Sequence, residues 1–239
     1  MDTPLIDQNY QRWLFTLSAP LVALNQEQGA AYDCPKFYPF DTSVDLTDSW
    51  GVNNREELIA MVVRMTDDGH APNLAGYYHM WHRFSHSEWQ DYVAQRTGRE
   101  QIWLNLVAET AAICGEGGIQ AWDLARVSFL CRIAQLNRWI NEEENLWFHT
   151  QFASRARHYY GDWESYYNAF LIGRAYWLTQ DNETSETLNF ALSQCSGTAA
   201  SIEYASELYL TRNPTFKRLP WQIEIIEMER PESLQGVDL

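Results

Sequence analysis

The sequence predicts an all-α fold: a single compact multi-helix domain with an aromatic-rich core and a short extended C-terminal segment. Three observations predict it. Apolar residues recur at three- and four-residue spacing through most of the chain. Residues that cap helices stand where those runs begin. The 239 residues are 46% hydrophobic and 14% aromatic, with eleven Trp and thirteen Tyr, enough to bury a packed interior. No linker rich in Gly, Ser or Pro and no internal repeat divides the chain, so residues 1–239 are expected to form one domain.

The elements follow in order. Residues 4–28 form an amphipathic region with Leu5, Trp13, Leu14 and Leu17 on its apolar side, kinked at Pro20. Residues 33–49 hold two prolines and several Asp, Ser and Thr, and read as a loop. A helix is expected over 54–68, with Leu58, Met61, Val62 and Met65 inward and Gly69 as C-cap. The next covers 72–84. Ser85 and Glu88 then have capping-box spacing and start a short helix over 87–96. A longer apolar helix spans 99–114 and ends at Gly115, Gly117 and Gly118. Helices over 119–138, 141–160 and 162–178 follow, the second capped by Asn141 and the third by Asp162. Glu142, Glu143 and Glu144 suit a solvated first turn, where the helix dipole favours acids. Helices over 184–194 and 198–211 complete the series. Trp221, Ile223 and Ile225 alternate with Gln222 and Glu224, as an extended segment does. From Arg230 the chain reads as a loose acidic tail.

Charge narrows the partners. The 17 Lys and Arg against 32 Asp and Glu give a formal charge of −15. An acidic surface repels phosphate, so neither nucleic acid nor a membrane is expected as a partner. A protein partner of basic character fits better. The N-terminus lacks the basic start and apolar run of a signal peptide, and no run is long enough to span a bilayer. A cytoplasmic location is therefore expected. The four cysteines, Cys34, Cys114, Cys131 and Cys195, have no metal-binding spacing, and Cys114 and Cys131 read as small core residues.

The candidate site lies on the helix over 119–138. At 100° per residue, Asp123 and Arg126 fall together, beside Ile119, Leu130 and Ile133. They are expected to point inward or into a cleft, with Ser128, Arg132 and Gln135 forming the solvent stripe opposite. On the helix over 162–178, Trp163, Tyr166, Tyr167, Phe170, Arg174 and Trp177 share one face. Gly173 beside Arg174 would let another helix approach. If the two helices pack, Asp123 meets two arginines. Such a network is either a structural lock or a cleft where Arg126 or Arg174 holds an anion beside Trp122 or Trp177. A third reading makes Asp123 a general base, although pairing with arginine lowers a carboxylate's pKa and weakens it as a base.

Other constellations are weaker. His79, His82 and His86 have spacing that would share one helix face, but the break at Ser85 spoils it, so no metal is expected. His70 follows Gly69 at a helix end and suits a cap or a place in the site. Gly115-Glu116-Gly117-Gly118 follows no strand, and reads as a turn and not as a phosphate loop. No catalytic signature is present, and no cofactor is expected.

The stretches SWGVNNREELIAMVVRMTDDGH (49–70), GGIQAWDLARVSFLCRIAQLNRWINEEENLW (117–147) and DWESYYNAFLIGRAYW (162–177) closely resemble the bacterial DUF1266 family. The resemblance covers 49–178, with a weaker match over 213–221. The family's usual Gly before the helix arginine is Ala125 here. The resemblance implies importance for Trp50, Gly51, Gly69, His70, Trp122, Asp123, Arg126, Trp163, Gly173 and Arg174, and assigns them no chemistry.

The functional expectation is a non-catalytic protein-binding or adaptor protein with an acidic surface. One concrete form is an immunity-type neutraliser of a bacterial toxin. The alternative is an enzyme or small-anion binder using a cleft around Asp123, Arg126 and Arg174.

Overall fold

The structure is a computed structural model that describes residues 7–194 and 219–239. The described residues are all-α, as expected. The helices are α1 (Gln8–Thr16), α2 (Ala19–Leu24), α3 (Thr47–Trp50), α4 (Arg55–Asp67), α5 (Pro72–Arg83), α6 (His86–Ala94), α7 (Gly98–Cys114), α8 (Gln120–Leu136), α9 (Glu142–Tyr159), α10 (Trp163–Thr179) and α11 (Ser185–Gln194). No strand occurs among the described residues; one isolated bridge joins Leu46 and Val52. No helix among them is long and apolar enough to cross a membrane. The helix expected over 198–211, and Cys195, lie outside the described residues.

The chain groups into two compact units. The first comprises Met1–Asp67, Leu124–Arg157 and Asn213–Leu239; the second comprises Asp68–Asp123 and His158–Arg212. The boundary between Asp123 and Leu124 falls inside α8.

In the first unit, Trp13, Leu14, Phe15, Val22, Phe37, Leu58, Val62, Leu130, Ile133, Phe148 and Phe152 are closed to solvent. The Asp7 carboxylate caps α1 by accepting the Tyr10 N–H at 2.7 Å. Pro20 does not bend a continuous helix. The chain breaks after α1, and Pro20 sits in the first turn of α2, where its missing N–H leaves no gap. Asn141 and Glu144 cap α9 reciprocally: the Glu144 N–H donates to Asn141 Oδ1 at 2.9 Å, and the Asn141 N–H donates to Glu144 Oε2 at 2.7 Å.

The C-terminal segment is extended without pairing as a strand. Trp221 is buried while Gln222 and Glu224 are exposed, which follows the expected alternation. Its backbone is held by side chains: Trp13 Nε1 donates to the Pro220 carbonyl at 3.0 Å, and the Ile226 N–H donates to the Tyr10 hydroxyl at 3.0 Å. Arg157 donates to the Ile223 carbonyl and to Gln222. The expected loose tail beyond Arg230 is instead packed. Leu234 is fully buried, and a 3₁₀ turn over Glu232–Leu234 presents Ser233 to Glu144.

The second unit packs α5 and α10 against α7, with α11 beside α10. Leu74, Tyr78, Leu104, Val107, Ala111, Tyr166 and Phe170 form its interior. The capping box at Ser85 is present, so His79 and His82 lie on α5 while His86 starts α6. Asp162 caps α10 through the Ser165 N–H at 2.6 Å. The glycine turn forms a 3₁₀ segment over Gly115–Gly117, and Gly118 has φ of +52°. A Cβ on Gly118 would stand 2.5 Å from the Tyr78 ring, so this turn needs a residue without a side chain.

Candidate functional site

Asp123, in the first turn of α8, is fully buried. One carboxylate oxygen accepts the backbone N–H of His70 at 2.8 Å and of Ala71 at 2.7 Å. Those two amides open α5, which has no side-chain cap of its own. The first N–H groups of a helix have no partner within it. Asp123 therefore caps α5 from a distant part of the sequence, and its negative charge lies at the favourable end of the α5 dipole. The other carboxylate oxygen stands 3.5 Å from His70 Nδ1.

Gly69 makes this contact possible. A Cβ there would stand 2.4 Å from the Asp123 carboxyl carbon. Gly69 does not have a left-handed backbone, so the expected C-cap role is replaced by one of close approach. His70 does act at a helix end, through its backbone N–H at the start of α5.

The aromatic neighbours lie as the spacing suggested. Trp122 is 4% exposed, and its ring lies 5.1 Å from Phe170 and 5.6 Å from Trp177. Gly173 admits it: a Cβ there would stand 2.4 Å from Trp122 Cβ. Trp163 is buried and stacks on Tyr167 at 5.6 Å. Trp177 remains 41% exposed. Arg174 is half-buried and forms no ion pair with a described residue, so the expected Asp123–Arg174 pair does not form. Helix α10 brings Trp122 its aromatic wall and Gly173 its clearance; the charge of Arg174 is not spent on the carboxylate.

In the first unit, Arg126 is half-buried, and its guanidinium lies 4.9 Å from the Trp50 ring centre. Trp50 lies 5.6 Å from Phe129. Gly51, at φ of +65°, ends α3 in the left-handed conformation that glycine adopts freely.

The largest departure from expectation is the supposed solvent stripe of α8. Ser128 and Arg132 are fully buried, and Gln135 is half-buried. Arg132 Nε donates to the Cys34 carbonyl at 3.0 Å, and its terminal nitrogens donate to the carbonyls of Ala31 at 2.5 Å and Lys36 at 3.3 Å and to Ser18 Oγ at 2.8 Å. The Phe37 ring lies 5.0 Å from the guanidinium. The loop before α3 has few hydrogen bonds of its own, and one guanidinium meets that need. Burial pushes the Arg132 pKa down to about 9, which still leaves it charged at neutral pH.

Ser128 joins His149, also fully buried. His149 Nδ1 lies 2.8 Å from the Asn145 carbonyl, which can only accept, so this nitrogen carries the proton. Its Nε2 then accepts from Ser128 Oγ at 2.9 Å. A serine hydroxyl donating to an oriented neutral imidazole is the arrangement of an activated nucleophile. Here Phe15 and Phe152 pack on the ring and no solvent reaches either residue, so the pair ties α8 to α9. Burial pushes the His149 pKa down to about 3.

Glu144 is the remaining buried acid of this unit, at 2% exposed, which corrects the expected solvated first turn; Glu142 and Glu143 are exposed. Arg55 binds it with two bonds, at 2.5 and 3.0 Å, and Ser233 Oγ donates at 2.6 Å. Burial alone would raise its pKa; these donors outweigh it and hold the carboxyl below its usual range. Arg55, Arg132 and Glu144 were missed because they meet partners 89 or more residues away, and His149 because its partner Ser128 sits in a polar stripe that resembles a surface. The one available signal was Arg132 itself, set in the apolar run Phe129-Leu130-Cys131-Arg132-Ile133-Ala134.

The profile of the family described as "Protein of unknown function (DUF1266)" matches residues 45–221. Two relatives from Escherichia coli (strain K12) match along nearly their full length. "Uncharacterized protein YbeU" is 41% identical over 232 residues, 97% of this chain and 99% of the relative. "Uncharacterized protein YbeR" is 36% identical over 232 residues, again 97% and 99%. No solved structure matches. The resemblance carried by the tryptophan-aspartate helix, the Trp-Gly segment and the aromatic helix is thus a true kinship: the chain belongs to the DUF1266 family.

Proposed function

We propose that the protein is a non-catalytic binding or adaptor protein, working in the cytoplasm, whose acidic surface covers a basic protein partner. A concrete form is a neutraliser of the kind that an immunity protein is for a bacterial toxin. The observation that carries this reading is the exposed acidic stretch over 41–57, in which Asp41, Asp45, Asp48, Glu56 and Glu57 all face solvent and which also carries the half-buried Trp50. Hydrogen bonds from Thr47 to Asp45, and from Asn53 to Glu57, hold those carboxyls below their usual range, so they stay ionised. Such a field speeds encounter with a cation-rich surface and repels nucleic acid, while an aromatic residue within it offers an anchor. The buried groups support the same reading. Asp123 is closed to solvent, so its carboxylate offers no base to a substrate, and the Ser128–His149 pair is closed as well.

The test is affinity capture by the full chain from native lysate over a range of salt. A stoichiometric basic partner is expected, and it should be lost when Asp45→Asn, Asp48→Asn, Glu56→Gln and Glu57→Gln are combined, with the melting temperature little changed. Absence of a stoichiometric partner at every salt concentration, or capture that ignores the four substitutions, overturns the reading.

A further inference from the structure

An open cleft of about 600 Å³ in the first unit is lined by Lys36, Arg55, Gln135, Arg138, Trp139 and Glu144, among others. That volume falls in the range of small-molecule sites. In a chain with 17 basic against 32 acidic residues, three cationic side chains meet there. We propose that this cleft is a binding site for a small molecule bearing one oxyanion, a carboxylate or a phosphate, anchored by Arg138.

Arg138 carries the inference. It is the one non-glycine residue with positive φ, at +62°, among those described. It ends α8 in a Schellman arrangement: the Trp139 N–H reaches back to the Ala134 carbonyl at 2.9 Å. Glycine is the residue that this position favours, because a Cβ crowds the left-handed backbone. Keeping an arginine there has a conformational cost, and strain of this kind concentrates where a side chain has work to do. The guanidinium is exposed, and among the described residues no carboxylate lies within 4 Å of it; Asp41, bonded to Lys36, is the acid close enough to feel its charge.

The other groups fix the sign of the ligand. Glu144 is saturated by Arg55, Ser233 and the Asn141 N–H, so it offers nothing to a cation. That same set of bonds makes a rigid floor. Lys36 pairs at 2.7 Å with Asp41, an exposed partner that an incoming anion displaces at small cost. Trp139 supplies a wall. Glu142, exposed at the start of α9, is the one acid of the lining left without a cationic partner, and it limits the site to a single anionic group.

Thermal melts and calorimetric titration of the full chain test this with inorganic phosphate and with benzoate, each against sodium chloride of matched ionic strength. At ten times its Kd, a ligand should raise the melting temperature by about 3–5 °C. Response to phosphate alone identifies a phosphoryl ligand, response to benzoate alone a carboxylate, and response to both a general oxyanion site. Arg138→Gly should melt at the same temperature as the parent or higher, yet lose the ligand shift; Lys36→Gln should weaken binding by about tenfold, and Glu142→Gln should tighten it. If Arg138 serves only the α8 dipole, no anion shifts the parent. That result, or an undiminished shift in Arg138→Gly, overturns the proposal.

Discussion

Asp123 and Arg132 stand on the same helix and both are fully buried, but opposite halves of the peptide group hold them. Asp123 receives N–H groups from the start of α5. Arg132 gives its donors to carbonyls of an irregular loop. The difference follows from what each region has in excess. A helix start leaves aligned donors without partners, and one acid satisfies two of them together. A loop that forms no ladder leaves acceptors pointing in several directions, and only a branched planar cation reaches that many. These two interior charges are thus fastenings for backbone, and each charge sign suits one kind of segment.

The sharpest way to break that comparison is to remove the cation. Arg132→Ala should destabilise the first unit by roughly 4–5 kcal/mol, because several carbonyls lose their donor inside the protein. Urea unfolding measures it, and proteolysis should open first within residues 30–46. Arg132→Lys should recover little, since an ammonium cannot span the same carbonyls. The acid comes next. Asp123→Ala should cost about 3–4 kcal/mol, and Asp123→Asn less, because an amide oxygen still accepts from α5. A loss below about 1 kcal/mol in the alanine variant would mean that the carboxylate does not fasten the helix.

Acidification sharpens the contrast within the first unit. His149 has its pKa pushed down to about 3 by burial, against 6.5 in an open chain. Above pH 6.5 both states are neutral and the stability is intact. As pH falls from 6.5 to 3, the unfolded chain binds a proton that the folded one refuses, so stability declines over that window by several kcal/mol at most. His149→Gln should flatten this part of the pH–stability curve, which denaturant melts at stepped pH would show. The smallest effect belongs to clearance. Gly173→Ala should cost about 1–3 kcal/mol by pushing Trp122 away, seen as a shift in the urea midpoint.

The sequence made helix limits legible wherever a cap marks them. Ser85, Asn141 and Asp162 all cap where their spacing places them, because a cap is a local device read within four residues. The inward turn of Asp123 and the close approach at Gly173 were legible too, since helical periodicity fixes direction. Its failure on Ser128 and Arg132 has the opposite cause. Periodicity separates apolar from polar faces, and it assumes that the polar face meets water. On α8 that face meets loop carbonyls and His149, and their demand is invisible until the loop is in place. Glu144 was misread for the same reason: its partner Arg55 lies 89 residues away. Arg138 was unremarkable in the sequence because its backbone conformation, not its neighbours in the chain, sets it apart.

The role of Asp123 as a distant cap is tested most directly by amide hydrogen exchange at His70 and Ala71. In the parent protein both amides should be strongly protected, although neither lies within a helix ladder, and Asp123→Ala should expose both while the middle of α5 stays protected. Fast exchange of these two amides in the parent, or protection that survives the loss of the carboxylate, would contradict it.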